Sequence, residues 1–121
     1  MNFKTQAGHW HFAAARFPDA VQIGFEATHV GADDLTWIHS YEAIVFNVIE
    51  AARTAGASAA ILIHGNPTLP PNTVSLRTIV RDVIRADDLA SRLCIEECIE
   101  CDEACIVVFG PLPPHRRQAA H

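Results

Sequence analysis

The chain has 121 residues, 50% of them hydrophobic and 19% charged, with a formal net charge of −5 at pH 7. That length suits one domain with its own core, and that balance excludes a disordered chain. The acidic total disfavours a general affinity for nucleic acid, which runs on clustered Lys and Arg, and no apolar run approaches the ~20 residues of a membrane span.

The segment from Met1 to Gln6 leads into no apolar stretch of the secretory type, so a cytoplasmic protein with reduced thiols is expected. Residues 9–17 are aromatic and small, and the turn pair Pro18-Asp19 follows them. From Ala20 to His29, Val21, Ile23 and Phe25 alternate with Gln22, Gly24 and Glu26, the pattern of a half-buried strand. Together the two segments predict an antiparallel hairpin.

Gly31 breaks this strand, and Asp33 and Asp34 supply negative charge at a helix start. Leu35, Ile38, Tyr41, Val45, Val48 and Ala52 then form one apolar face of a long helix that stops at Gly56. Residues 59–63 are apolar without alternation, as in a strand covered on both faces. Pro67, Pro70 and Pro71 keep the next loop extended. Thr73 or Ser75 can cap a helix whose buried face is Leu76, Ile79, Val80, Val83 and Ile84. Asp87 and Asp88 lie near its end or open a short turn. Residues 105–109 read as a strand, while Cys94 to Glu100 reads as either its neighbouring strand or a helix. The expected architecture is one α/β domain over residues 1–112. It is a two-layer sandwich with a mixed sheet, in the order β-β-α-β-α-β-β, and residues 113–121 form a disordered tail.

Four constellations can carry chemistry. The first follows the strand at 59–63, where ligands of open α/β sheets bind. There His64 can act as a base or hold an anion, Gly65 allows close backbone approach, and Asn66 adds a polar group. In the structural alternative, His64 bonds to a loop carbonyl and Gly65 only turns the chain. The second is Arg77, Arg81 and Arg85, four residues apart along one side of a helix. They suit phosphate or carboxylate recognition, or else pair with acidic residues such as Asp82 or the glutamates at 96–103. Ser75 and Arg77, with Arg81, complete the ligand-binding candidates around His64.

The third constellation is Cys94, Cys98, Cys101 and Cys105, whose thiolates would suit zinc, copper(I) or an iron–sulfur cluster. Their sulfurs share a face if the segment is helical, or converge across two strands if it is a hairpin. The alternative is small core side chains. The fourth is His9 and His11 with Glu26 or Thr28 across the hairpin, a set that could bind zinc. No phosphate loop, dinucleotide fingerprint or serine elbow is present, and no motif implies a cofactor.

The order of helix, strand ending in Ile63-His64-Gly65, loop, and Leu76-Arg77 opening a helix resembles the Smr domain over about Val21 to Gly110. The family's first signature, aspartate-leucine-histidine-glycine, has Thr28-His29-Val30-Gly31 in its place, and Asn66-Pro67 replaces the glycines after the second. The resemblance implies nucleic-acid binding and, in some members, nuclease activity, here through His64, Arg77 and Arg81. The leading expectation from the residues is a non-catalytic binding or regulatory module that associates with itself or another protein. The acidic balance and the missing catalytic signature favour it over the Smr-like and metal-binding readings.

Overall fold

A computed structural model describes residues 1–111. Its elements, in chain order, are β1 (Asn2–Thr5), α1 (His11–Ala14), β2 (Val21–Gly24), β3 (His29–Gly31), α2 (Leu35–Thr54), β4 (Ala59–Ile63), β5 (Thr73–Ser75), α3 (Leu76–Arg85), α4 (Asp87–Leu93), β6 (Ile95–Glu100) and β7 (Ala104–Phe109). The tail expected at 113–121 lies outside the described residues.

The fold is α/β with a mixed five-stranded sheet in the order β1-β6-β7-β4-β2. β2 and β4 are parallel and joined through α2, as parallel neighbours require a long crossover. β4, β7 and β6 run antiparallel in turn, and β1 is parallel to β6. β3 and β5 form a separate antiparallel pair that ties together the segments leading into α2 and α3.

One side of the sheet carries the larger core. Ala60 and Leu62 of β4, Cys98 of β6, and Cys105 and Val107 of β7 meet Val45 and Ile49 of α2, Val80 and Ile84 of α3 and Leu89 of α4. On the other face, Ile61, Ile99, Ile106 and Val108 pack beneath Trp10 and Ala13. β4 and β7 are covered on both sides, which is why their sequences lack alternation. The starts of the two longer helices, α2 and α3, follow capping chemistry. The Asp34 side chain accepts from the Trp37 N–H at 3.2 Å, and Ser75 Oγ accepts from the Thr78 N–H at 3.0 Å.

Three expectations need correction. Residues 9–17 do not form a strand. They contain the single-turn α1, whose small residues let it lie on the sheet while Phe12 stays 79% exposed. The hairpin therefore does not exist, and β2 pairs only with β4 in the main sheet. Among the described residues no strand fills its predicted partner position at the sheet edge, and the true first strand, β1, lies at the far edge. Finally, the expected apolar face of α2 is used unevenly: Val45 and Ala52 are buried, Ile38, Tyr41 and Val48 are partly buried, and only Leu35 at its start is exposed, at 62%. The 94–100 ambiguity resolves as strand β6, with an irregularity between Ile95 and Glu97. That bulge lets Ile95 and Cys98, three residues apart, face the same core.

Candidate functional site

β4 ends at Ile63, and the backbone N–H groups of His64 and Gly65 both donate to the Glu103 carbonyl, at 3.0 and 2.9 Å. This pins the strand end against the β6–β7 turn. Continuing the alternation of Ala60 and Leu62, His64 turns to the helix-covered face and is 2% exposed. Its Nδ1 lies 2.6 Å from the Gly65 carbonyl oxygen. A carbonyl only accepts, so Nδ1 carries the proton. Nε2 is buried and makes no well-aligned hydrogen bond among the described residues. Gly65 has φ +76°, a left-handed conformation that glycine adopts without penalty.

The open space lies one residue further on. A cavity of about 220 Å³ is lined by Gly8, His9, Asn66, Asp102 and Glu103. Arg77 Nη1 donates to Asn66 Oδ1 at 2.9 Å, so the first arginine of the stripe fixes the loop beside the cavity. The other two arginines turn to β6. Arg85 Nη2 donates to Glu100 Oε1 at 2.5 Å. Arg81 Nε stands 2.7 Å from Oε2 as an ion pair without hydrogen-bond alignment. Arg81 Nη2 also reaches the Cys101 carbonyl at 3.4 Å. Glu100 is 5% exposed, so it sits under both guanidinium groups. Ser75 is taken up in capping α3. Of the six ligand-binding candidates, only Asn66 lines the open cavity.

The four cysteines are all free thiols, and they do not converge. Cys94 ends α4 in a left-handed conformation with φ +53°. Cys98 and Cys105 belong to the larger core, whereas Cys101 faces the smaller one across the sheet. An odd spacing along a strand puts side chains on opposite faces, and Cys98 and Cys101 are three apart. Among the described residues no three of His, Cys, Asp and Glu stand together as a metal site. His9 and His11 stack on each other, centroids 4.1 Å apart, and with the hairpin absent neither Glu26 nor Thr28 faces them in a strand pair.

Cys98 and Cys105 share one face of neighbouring strands. Their mutual interaction is the largest influence on both thiols. It lowers Cys105, an effect opposed by burial and reinforced by the imidazole of His64 and the charge of Arg81. It raises Cys98, with burial and the neighbouring Glu100 acting in the same direction. Cys105 is thus the thiol of the pair that ionises first. The sequence allowed convergence of all four across a hairpin; the pairing of β6 with β7 puts only Cys98 and Cys105 on one face and sends Cys101 to the other.

No family model, curated protein or solved structure matches this chain. A second feature of the surface therefore bears on function. Trp37 and Tyr41, ring centroids 6.0 Å apart, stand between two hollows. One, of about 260 Å³, is lined by Ala27, Val30, Gly31 and Asp34 with these two rings. The other, of about 310 Å³, adds Gly24, Phe25, Glu26 and Ile44. Gly24, the last residue of the edge strand β2, lines the second hollow. Among the described residues no helix is long and apolar enough to cross a membrane.

Proposed function

We propose that this protein is a non-catalytic association module whose partner is a second copy of the same chain. The observation that carries the reading is the exposure of Trp37, Leu35 and Ile44 on α2, with Trp37 and Ile44 lining a hollow with Gly24 of β2, an edge strand that no other described strand pairs on its outer side. Large apolar groups left in water together mark interaction surfaces. β2 itself contains no charged residue and no proline, the devices that normally blunt an edge. The opposite edge differs, since β1 carries Lys4, paired with Glu97 at 3.1 Å. An identical β2 supplies a matching uncharged edge, and a two-fold axis brings the second α2 face against the first.

Sedimentation equilibrium across the micromolar range tests this. The wild-type chain is expected at twice its 13.2 kDa mass. The Trp37→Ala/Ile44→Ala variant, altered only at exposed positions, is expected at the monomer mass with an unchanged circular dichroism spectrum. A wild-type chain that stays monomeric throughout overturns the reading.

A second reading, Smr-like nucleic-acid binding, is supported by a specific juxtaposition. The segment Thr28–Gly31 lies against the His64 loop and the start of α3. Leu76 N–H donates to the Thr28 carbonyl at 2.9 Å, and His29 pairs with Ser75. Glu100 engages Arg81 and Arg85, which leaves Arg77 as the contact residue. Fluorescence anisotropy with a labelled single-stranded RNA at low salt is then expected to show binding that Arg77→Ala weakens by about tenfold. Absence of binding at low salt excludes it.

A further inference from the structure

Four phenylalanine rings among the described residues already carry a cation. Arg16, Arg53, Arg85 and Arg92 stand over Phe17, Phe109, Phe3 and Phe46, 4.9–5.6 Å from the ring centroids. Tryptophan is a stronger partner for a cation than phenylalanine. Trp37 and Tyr41 line the hollow of about 260 Å³ whose other walls are Ala27, Val30, Gly31 and Asp34. That lining contains no Lys, Arg or His. Trp37 is 55% exposed, so packing in the core does not consume it.

A ring attracts a cation that lies within about 6 Å of its centroid. The Trp37 and Tyr41 centroids are 6.0 Å apart, with the planes inclined by 32°. One cation in the hollow can therefore lie within reach of both rings. The single carboxylate of the lining belongs to Asp34, and its Oδ1 accepts from the Trp37 N–H at 3.2 Å. This hydrogen bond holds the negative charge beside the backbone of Trp37. The amino end of α2 brings about half a positive charge to the same place, against the full negative charge of Asp34. The balance favours a cation, and the net charge of −5 acts in the same direction.

The lining also selects among cations. A lysine-type ammonium brings three N–H donors, while the side-chain acceptors of the lining are Asp34 and the Tyr41 hydroxyl. A donor left unpaired against Ala27 and Val30 is costly. A metal ion needs several ligand groups, and among the described residues no three of His, Cys, Asp and Glu stand together. A quaternary ammonium has no N–H to satisfy. Its methyl groups suit the apolar walls and its diffuse charge suits the rings. The hollow is smaller than the ~300 Å³ at which pockets begin to hold drug-sized ligands, so it takes a headgroup. We propose that this hollow binds a quaternary ammonium headgroup against Trp37 and Tyr41, with Asp34 as its counter-ion. The site does not rest on the association reading, although Trp37 belongs to both surfaces.

The test follows backbone amide NMR shifts of the full-length chain titrated with choline chloride, at ionic strength matched with sodium chloride. Saturable shifts confined to residues 27–41 are expected. The uncharged isostere 3,3-dimethylbutanol is expected to give none. Trp37→Leu keeps an apolar side chain but removes the ring, and is expected to abolish saturation. Asp34→Asn retains a capping side chain and is expected to weaken binding by about fivefold. Ile44 lines the other hollow, so Ile44→Ala leaves this site whole while loosening the association surface. Titrating it beside the wild type reads the site even where a second copy covers it. A trimethyl-lysine peptide that binds about tenfold tighter than choline assigns the headgroup to a protein, and equal or weaker binding assigns it to a small molecule. The proposal is overturned by absence of saturable shifts in both wild type and Ile44→Ala, by equal binding of dimethylbutanol, or by unchanged binding in Trp37→Leu. Sedimentation without ligand reads association separately, so either proposal can fail without the other.

Discussion

Leu62→Ala is expected to lower the stability of the fold by about 3 kcal/mol, the usual cost of emptying a fully buried leucine site. Leu62 is 0% exposed and lies on β4, beneath α2 and α3. Its neighbours in this core include Val45, Ile49 and Val80 on helices that are themselves anchored by the sheet. They cannot all move inward to fill the space, so the cavity term adds to the lost transfer energy. For a chain of this size the melting temperature should fall by roughly 10–15 °C. Urea unfolding with a shared slope for wild type and variant checks the number. A loss below about 1 kcal/mol would mean that the helix layer collapses freely onto the sheet.

Glu100→Ala should cost about 2 kcal/mol, for an electrostatic reason. The carboxylate is buried under Arg81 and Arg85, whose side chains are 27% and 53% exposed. Truncation leaves two cations facing a cavity, and their partial access to water keeps the loss below that of a fully enclosed pair. Glu100→Met fills the same volume without a charge and should therefore cost less than the alanine variant. Paired urea unfolding of the two variants decides the issue. Both variants remove the charge, so the loss they share belongs to the ion pairs with Arg81 and Arg85, and the additional loss in Glu100→Ala belongs to packing volume. Arg85 also lies over the Phe3 ring, 5.4 Å from its centroid, so β1 is coupled to the same contact.

Much of the architecture was legible because single side chains declare it. The apolar run from Ala59 to Ile63 could only be a covered strand. Ser75 ahead of Leu76, Ile79 and Val80 announced a capped helix. Asp34 and Gly56 bounded the long helix correctly in kind. The amino-terminal region was misread because aromatic and small residues serve a strand and a sheet-packed helical turn equally well. The choice fell to Trp10 and Ala13, which found a surface made by Ile61 and Ile106, far away in the chain. β1 was missed because Asn2–Thr5 is exposed along its whole length and shows no burial pattern to read.

The candidate site divides along the same line. Residue types alone placed histidine and glycine after a buried strand and arginines four apart on a helix. Which of those groups remained available was a tertiary matter. Sheet alternation turned His64 inward, and Glu100 reached α3 from β6 to engage two arginines. The hairpin put Cys98 beside Cys105 while sending Cys101 to the opposite face. Local composition determined which elements form, because capping, periodicity and turn chemistry act over a few residues. Pairing across the sheet decided which side chains meet, because that depends on register between strands that are neighbours in space.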